Sequence, residues 1–183
     1  MSITIKIADR FRIRPVTKGD CPQIMRWKQD PLIQRMALGS DSTIKYNDQL
    51  SDIERSVQAT DHDYLILELL PDDIPIGYIR LDWLDSEHRC AWLRFALGSH
   101  RGHGCMRDCL SALLQKLFQG GMHRIEAEVY SFNQASRHLL ERLGFQREGC
   151  KRNAQWDGQQ YWNILCYGLL SSDHADYSVS TGV

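Results

Sequence analysis

The segment between Trp92 and Tyr130 constrains the fold most strongly, because its hydrophobic periodicity changes twice. The stretches RCAWLRFAL and HRIEAEVYS alternate apolar and polar residues, which is the pattern of half-buried strands. Between them, apolar residues recur at helical spacing, at Met106, Leu110, Leu113, Leu114 and Leu117. A strand, a helix and a second strand in succession predict a parallel crossover within one sheet.

The flanking segments predict antiparallel neighbours for that crossover. RFRIRPV, at residues 10–16, is a candidate strand, and Thr17 then caps the first of two helices, the second covering about 47–58. YLILELL, IPIGYIRLDWL and RCAWLRFAL predict a three-stranded meander. Asn133 caps a last helix, and two strands around a WDG turn end the periodic part of the chain.

The order βαα-βββ-α-β-α-ββ predicts an α+β fold with a central mixed, twisted sheet flanked by about four helices. Residues 1–170 are expected to form a single domain, because 183 residues are few for two cores and no linker interrupts the pattern. The last segment, residues 171–183, shows no periodicity and is expected to be a flexible tail.

Composition argues against several functional classes. The net charge of −1 lacks the basic surplus of a general nucleic-acid binder, and no apolar run reaches the roughly 18 residues of a membrane span. The seven histidines show no HxxxH or HExxH spacing, so we expect no metal site. The six cysteines form no CxxC pair, which favours free thiols in a reduced, cytoplasmic protein.

The sequence RGHG, at 101–104, lies directly between an apolar strand and an amphipathic helix. A helix N-terminus carries unpaired N–H groups, and glycines before it let a phosphate approach without meeting a Cβ atom. The segment therefore predicts a pyrophosphate site, with a tight strand-to-helix turn without ligand as the alternative. It is neither a Walker motif, since no GK[ST] follows, nor a dinucleotide fingerprint, since the third glycine is missing.

These residues resemble the phosphate loop [QR]-x-x-G-x-[GA] of the GNAT acyl-CoA-dependent N-acetyltransferases, matching at Arg101 and Gly104 and departing at Met106. HRIEAEVYSFNQASRHLLERLGFQREG and WDGQQYWNILCYGLL resemble the RimJ/RimL-like branch of that family. The likeness covers about residues 10–170. A weaker one, in RWKQDPLI and IGYIRLDW, points to relatives that acetylate nucleotide-linked amino sugars.

The resemblance implies that acetyl-CoA is the co-substrate and lies in a V between the strands at 92–97 and 124–130. Ser136 would protonate the departing thiolate, and a backbone N–H between Leu93 and Leu97 would polarise the thioester carbonyl. The implied cofactor-binding residues are Leu93, Phe95, Leu97, Arg101, Gly102, His103, Gly104, Cys105, Met106, Asn133 and Ser136. Trp27 and Trp156 fall near the segments that form the acceptor pocket in the family and are candidate substrate-binding residues.

The general base is not evident from the sequence. Two positions at which relatives carry a carboxylate are Ala91 and Gln155 here. Glu126 is the candidate base, since it lies on the Tyr130 face of its strand. The other candidates are Glu128, Glu68, Asp82, His88 and Asp157.

The missing carboxylates favour an acceptor amine of low pKa. At neutral pH, an α-amine of pKa about 7.8 is neutral about one time in seven, and a lysine amine about once in 2,500, a difference close to 3.5 kcal/mol. We therefore expect a peptide N-terminus or a small amine as acceptor. An amino-sugar or antibiotic N-acetyltransferase and a non-catalytic acyl-CoA-binding module are the alternatives. The apolar strand WNILCYGLL would suit a homodimer interface.

Overall fold

The computed structural model describes residues 3–38, 44–85 and 89–174. Its strands are β1 (Ile5–Ile7), β2 (Phe11–Pro15), β3 (His62–Leu69), β4 (Ile74–Asp85), β5 (Cys90–Leu97), β6 (Arg124–Tyr130), β7 (Gln146–Trp156) and β8 (Tyr161–Leu170). They form one sheet in the order β1-β2-β3-β4-β5-β6-β8-β7. β5 and β6 are parallel and the other neighbours antiparallel, which confirms the predicted mixed sheet and crossover.

The α-helices are α1 (Cys21–Gln29), α2 (Pro31–Ile33), α3 (Tyr46–Gln58), α4 (Cys105–Gln119) and α5 (Gln134–Arg142). Within the described ranges, four of them have nine or more residues, as predicted. Strand β1, helix α2, a 3₁₀ turn (Lys18–Asp20) and a π-helical turn (Gln34–Leu38) were not predicted, because each is too short to show a period. Of the expected tail, residues 171–174 are helical, and 175–183 lie outside the described residues.

Two apolar layers cover the sheet. The larger layer packs β1–β6 and β8 against α4 and α5, with residues such as Leu110, Leu113 and Leu140 almost fully buried. The smaller layer packs the opposite face against α1 and α3 and includes Ile24 and Ile53. All six cysteines are free thiols. No helix in the described ranges is long and apolar enough to cross a membrane, and no group of three or more potential metal ligands occurs among those residues.

A buried ion-pair network fixes the start of α1. The Thr17 backbone N–H and hydroxyl donate to the Asp20 carboxylate at 2.7 and 2.8 Å, as the predicted cap requires. The Arg14 guanidinium donates to both oxygens of Asp20 and also to Glu68. Burial raises the pKa of Asp20, but the hydrogen bonds from Arg14 and Thr17 outweigh it and hold that pKa below its usual value.

Candidate active site

A V-shaped cleft opens in the sheet where β5 and β6 separate. Their parallel register covers only three positions, Cys90–Arg124, Ala91–Ile125 and Trp92–Glu126. Beyond these, β5 continues to Leu97 and β6 to Tyr130 without pairing to each other. The peptide groups of β5 on the cleft side therefore lack a strand partner and can bind an extended ligand, as the sequence analysis anticipated for this edge.

The side chains of Leu93, Phe95 and Leu97 do not themselves face an open site. Leu93 is buried in the layer beneath α4, and Phe95 and Leu97 pack against the same layer. These residues can contribute to the cleft through their backbone. The alternate residues of β5, among them Trp92 and Arg94, lie on the other face, toward α1 and α3.

The loop before α4 curls through three residues of positive φ, His100, Gly102 and Gly104. Glycine adopts such backbone angles without steric cost, and a Cβ at Gly102 would meet no atom within 4 Å. The first turn of α4 has no side-chain cap at Gly104, and its first intrahelical bond runs from Asp108 N to Gly104 O. The amides at the start of α4 are therefore free to donate to an anion.

Arg101 is turned back toward α1. Its Nε donates to Leu97 O at 2.9 Å, and its Nη2 lies 2.6 Å from Asp30 Oδ2. Arg101 lowers the pKa of the Asp30 carboxyl, helped by the Leu32 backbone N–H. His103 Nδ1 lies 2.9 Å from Arg101 O, so it also stabilises the curl of the loop. The arginine of the motif thus holds the loop in shape.

Met106 does not crowd the phosphate loop. Its side chain is buried with that of Cys105 in the apolar layer beneath α4. Met106 departs from the small residue of the phosphate-loop motif, but its bulk is accommodated because the side chain points into the core. Residues 105 and 106 can therefore offer their amides to a ligand as a smaller residue would.

Asn133 and Ser136 lie across the cleft, where β6 leads into α5. Asn133 is buried and caps α5, with its Oδ1 accepting from Ser136 N at 3.1 Å. Its Nδ2 donates to Met36 O at 3.1 Å, which ties α5 to the π-helical turn. The Ser136 side chain is half-buried, and its hydroxyl makes no hydrogen bond to any residue that the structure describes.

The two tryptophans expected at the acceptor pocket lie in different surroundings. Trp27 is buried and stacks on Tyr78, with ring centroids 6.3 Å apart. A Cβ on Gly98 would come within 1.8 Å of its indole nitrogen, so Trp27 packs directly on the end of β5. Trp156 is half exposed at the end of the β7–β8 hairpin, with its ring 4.9 Å from that of Tyr161.

Both glutamates of β6 are ion-paired on the α1 side of the sheet. Glu126, at the last position paired with β5, accepts from Arg124 Nε at 2.8 Å. Glu128, two residues further toward the open cleft, pairs with Lys151. Glu126 remains a candidate base. Of the two glutamates, Glu128 lies in the part of β6 that no longer pairs with β5.

The other candidate bases serve structural contacts. Glu68 is buried between Arg12 and Arg14, and Asp82 pairs with Arg94. Asp157 accepts from the backbone of the β7–β8 turn and from Trp162 Nε1. His88 lies outside the described residues.

A cluster of aromatic rings beside the cleft was missed by the sequence analysis. Tyr130 stacks on Phe132 with centroids 5.5 Å apart, and Phe132 contacts Trp162 edge-on at 4.9 Å. The Arg35 guanidinium lies 5.3 Å from the Phe132 centroid. The residues come from three separate segments, so no single local pattern marks them, although the aromatic pair in VYSF was a usable signal.

Residues 10–146, well over half of the chain, match the family described as acetyltransferase (GNAT) domain. The L-amino acid N-acyltransferase MnaT of Escherichia coli K12 is 28% identical over 137 residues, covering 73% of this chain and 78% of MnaT.

Two solved structures share the fold. The spermidine N-acetyltransferase of Vibrio cholerae, in complex with CoA and spermine, superposes with a TM-score of 0.84 at 19% identity, covering 92% and 99% of the two chains. The ribosomal L7/L12 α-N-protein acetyltransferase RimL superposes with a TM-score of 0.79 at 18% identity, covering 93% of this chain and 95% of RimL. Both likenesses concern the fold, which is the fold that the resemblance to the RimJ/RimL-like branch implied.

Proposed function

The chain belongs to the GNAT family of acetyltransferases, and from this premise we propose that it transfers the acetyl group of acetyl-CoA to a small or peptide amine of low pKa. One observation supports this most: the cleft between β5 and β6 ends at the uncapped first turn of α4. In the proposal, the amides of residues 101–106 bind the pyrophosphate, and the acyl arm lies along the unpaired edge of β5.

The reaction needs a nucleophile, an oxyanion donor, an acid that protonates the thiolate and a base that takes the amine proton. The neutral amine attacks the thioester carbon, a C–N bond forms, and a β5 backbone N–H stabilises the negative oxygen. The C–S bond then breaks, the thiolate takes a proton from the Ser136 hydroxyl, and the amine proton passes to Glu126. Exchange with solvent returns a proton to Ser136 and removes one from Glu126, so that both groups are restored for the next turnover. Asn133 and Arg101 act as positioning residues, because their polar groups are occupied within the protein.

The proposed acceptor has a low pKa because none of the nearby carboxylates is held as an isolated base. Glu126, Glu128 and Asp82 each form an ion pair, with Arg124, Lys151 and Arg94 respectively. Holding two reactants in register can itself supply about 7–11 kcal/mol in well-oriented cases. For an amine that is already partly neutral at neutral pH, we propose that this positioning is sufficient and that no strong general base is needed.

Thermal unfolding with and without acetyl-CoA tests the cofactor assignment. Acetyl-CoA at about 100 times its Kd adds about 2.7 kcal/mol, which raises the Tm by about 5–10 °C in a chain of this size. Dephospho-CoA, which keeps the pyrophosphate, is expected to stabilise as well, and ATP is the unrelated nucleotide control. Absence of any shift at millimolar acetyl-CoA would contradict the proposal.

Ser136→Ala is expected to lower kcat by about 100-fold, because the thiolate then leaves without its acid. The KM for acetyl-CoA should change less than about threefold, since the proton moves only in the transition state. Ser51→Ala, on the exposed face of α3, is the matched control and should leave kcat unchanged. An unchanged kcat in Ser136→Ala, measured by thiol release, would remove the serine from the mechanism.

A further inference from the structure

Three cations, Lys28, Arg80 and Arg94, belong to the elements on the side of the sheet that α1 and α3 cover. Arg80 of β4 and Arg94 of β5 are directly opposite each other in the antiparallel register. The charges of both arginines act on the Lys28 ammonium of α1. Like charges opposite each other across two strands are unfavourable, so this arrangement needs a compensating group.

Among the described residues, two carboxylates form ion pairs with the three cations, so one cation is left without a pair. Asp52 of α3 accepts from Arg80 Nη1 at 2.7 Å, and Asp82 accepts from Arg94 Nε at 2.9 Å. Lys28 is largely buried and makes no hydrogen bond or ion pair to any residue in the described ranges. Burial, together with the charges of Arg80 and Arg94, lowers the pKa of Lys28 to about 8, although Asp52 acts in the opposite sense.

Hydrogen-bond donors around the cluster are also unsatisfied. Arg80 Nε and Trp92 Nε1 are buried without a partner in the described part of the chain. The Arg94 guanidinium lies 4.8 Å from the Trp92 ring centroid, and the Arg80 guanidinium 4.8 Å from that of Tyr64. Together with the Lys28 ammonium, these are groups that only donate, so the partner that would satisfy them is an acceptor of hydrogen bonds, and an anion fits best.

The cluster lies beside the reacting position of the proposed function. Trp92 is the last residue of β5 that pairs with β6, and Arg94 lies two residues further, where the cleft has opened. Glu128 lies at the same distance past the pairing on β6. The Arg94 side chain is 43% exposed, so the cluster can be reached from solvent.

We propose that Lys28, Arg80 and Arg94 bind a carboxylate of the acceptor, which makes the acceptor a small molecule that carries both an amine and a carboxylate, such as an α-amino acid. This inference rests on the proposed acetyl transfer. The planar guanidinium groups match a carboxylate in two parallel hydrogen bonds, and Lys28 supplies the charge that Asp52 and Asp82 leave uncompensated. A polyamine would instead place further positive charge against the same wall.

Acceptor pairs that differ only in the carboxylate test this subsite. The probes are the standard L-amino acids and their primary amides, with thiol release from acetyl-CoA as the readout. An ionised carboxylate raises the pKa of the neighbouring amine, so amine pKa alone would favour the amides. The subsite predicts the reverse: for at least one amino acid, kcat/KM exceeds that of its amide by about tenfold or more, as one buried charged contact supplies.

Lys28→Met is the decisive variant. Lys28 forms no ion pair with any described residue, so its removal leaves no carboxylate of the protein unpaired. It should raise the KM for the preferred acid by about tenfold while leaving the KM for its amide within about threefold. Lys18→Met, which removes an exposed lysine paired with Glu54, is the matched control and should change neither. Arg94→Gln provides a second variant, at the exposed side of the cluster, with the same expected loss.

A binding measurement separates this inference from the proposed function. Titration of the acid into CoA-loaded protein should give a Kd that weakens above a pH of about 8, as Lys28 loses its proton in the free protein. The groups that face Lys28 are Cys21, Asp52, Arg80 and Arg94, and Lys28→Met should abolish the weakening.

The outcomes are distinct. Thiol release with amides or spermidine equal to that with acids would leave the acetyl transfer standing and overturn the subsite. A clear preference for aminophosphonates over the matching carboxylates would overturn the carboxylate assignment. A third outcome is that the wild-type protein binds the acid, that Lys28→Met does not bind it, and that no amine gives thiol release. This outcome would support the subsite and overturn the proposed function.

Discussion

Gly104→Asp is expected to weaken acetyl-CoA binding by more than about 100-fold, because the new carboxylate would compete for the free amides of α4 and face the pyrophosphate. Two unit charges about 4 Å apart repel by about 4 kcal/mol at an effective dielectric constant of 20, which exceeds that factor. The added Cβ itself meets only Arg107, at 3.4 Å or more, so the loop has room for it. Calorimetric titration with acetyl-CoA measures the effect.

Gly158→Asp is the matched control for this substitution. Gly158 also has a positive φ, 96° against 76° for Gly104, and a Cβ there would meet no atom within 4 Å. It lies in the turn between β7 and β8, away from the loop before α4. Both variants carry the same added charge and a similar backbone strain, so binding lost equally in both would contradict the phosphate-loop assignment.

Glu68→Gln is expected to lower the free energy of unfolding by about 3 kcal/mol, because it leaves two arginines beside a buried neutral group. Glu68 is 3% exposed and accepts from Arg12 Nε and Arg14 Nε, both at 2.7 Å. For a chain of this size, the Tm should fall by about 6–12 °C. Arg14 also anchors Asp20 at the start of α1, so the loss loosens the helix that carries Lys28.

Glu54→Gln removes an exposed carboxylate of the same kind and is the control for Glu68→Gln. Glu54 pairs with Lys18 at 2.7 Å, but both side chains are exposed. Exposed ion pairs contribute about 0–1 kcal/mol, so this variant should unfold close to the wild-type Tm. Equal Tm values for the two variants, measured in the same buffer, would contradict the role given to Glu68.

The parts of the fold that local patterns determine were predictable. The alternation in β3–β6 and the helical spacing in α4 report which face of each element is apolar, and that preference fixed the crossover and the mixed sheet. RGHG likewise marked the loop, because φ above zero and an uncapped helix start leave a glycine signature. The capping pair Thr17–Asp20 and the cap at Asn133 follow from side-chain chemistry within one turn.

The composition of the cleft could not be predicted in the same way. Arg80 and Arg94 become neighbours only through the register of β4 on β5, which depends on the whole meander. Arg101 matches the phosphate motif, yet its guanidinium reaches Asp30, 71 residues away in the chain. The direction of the Met106 side chain depends on where α4 meets the sheet, so the motif position alone did not show that its bulk lies in the core.

The pairing of Glu126 and Glu128 shows a further limit of sequence reasoning. Alternation places both on one face of β6, but it does not say that Arg124 and Lys151 hold them. A carboxylate becomes a general base through its surroundings. For Glu128 these include Lys151 of β7, which is distant in sequence, whereas Glu126 is held by Arg124 of the same strand. The choice between the two is therefore a matter for kinetics.

Thiol release from acetyl-CoA with two pools of amines tests the central claim most directly. One pool contains dipeptides without lysine, whose amines are all peptide α-amines of pKa about 7.8, and the other contains Nα-acetyl-L-lysine and spermidine. The account predicts release with the first pool at least about tenfold faster than with the second, given the roughly 3.5 kcal/mol difference in deprotonation. Faster release with the second pool, or none with either, would contradict it.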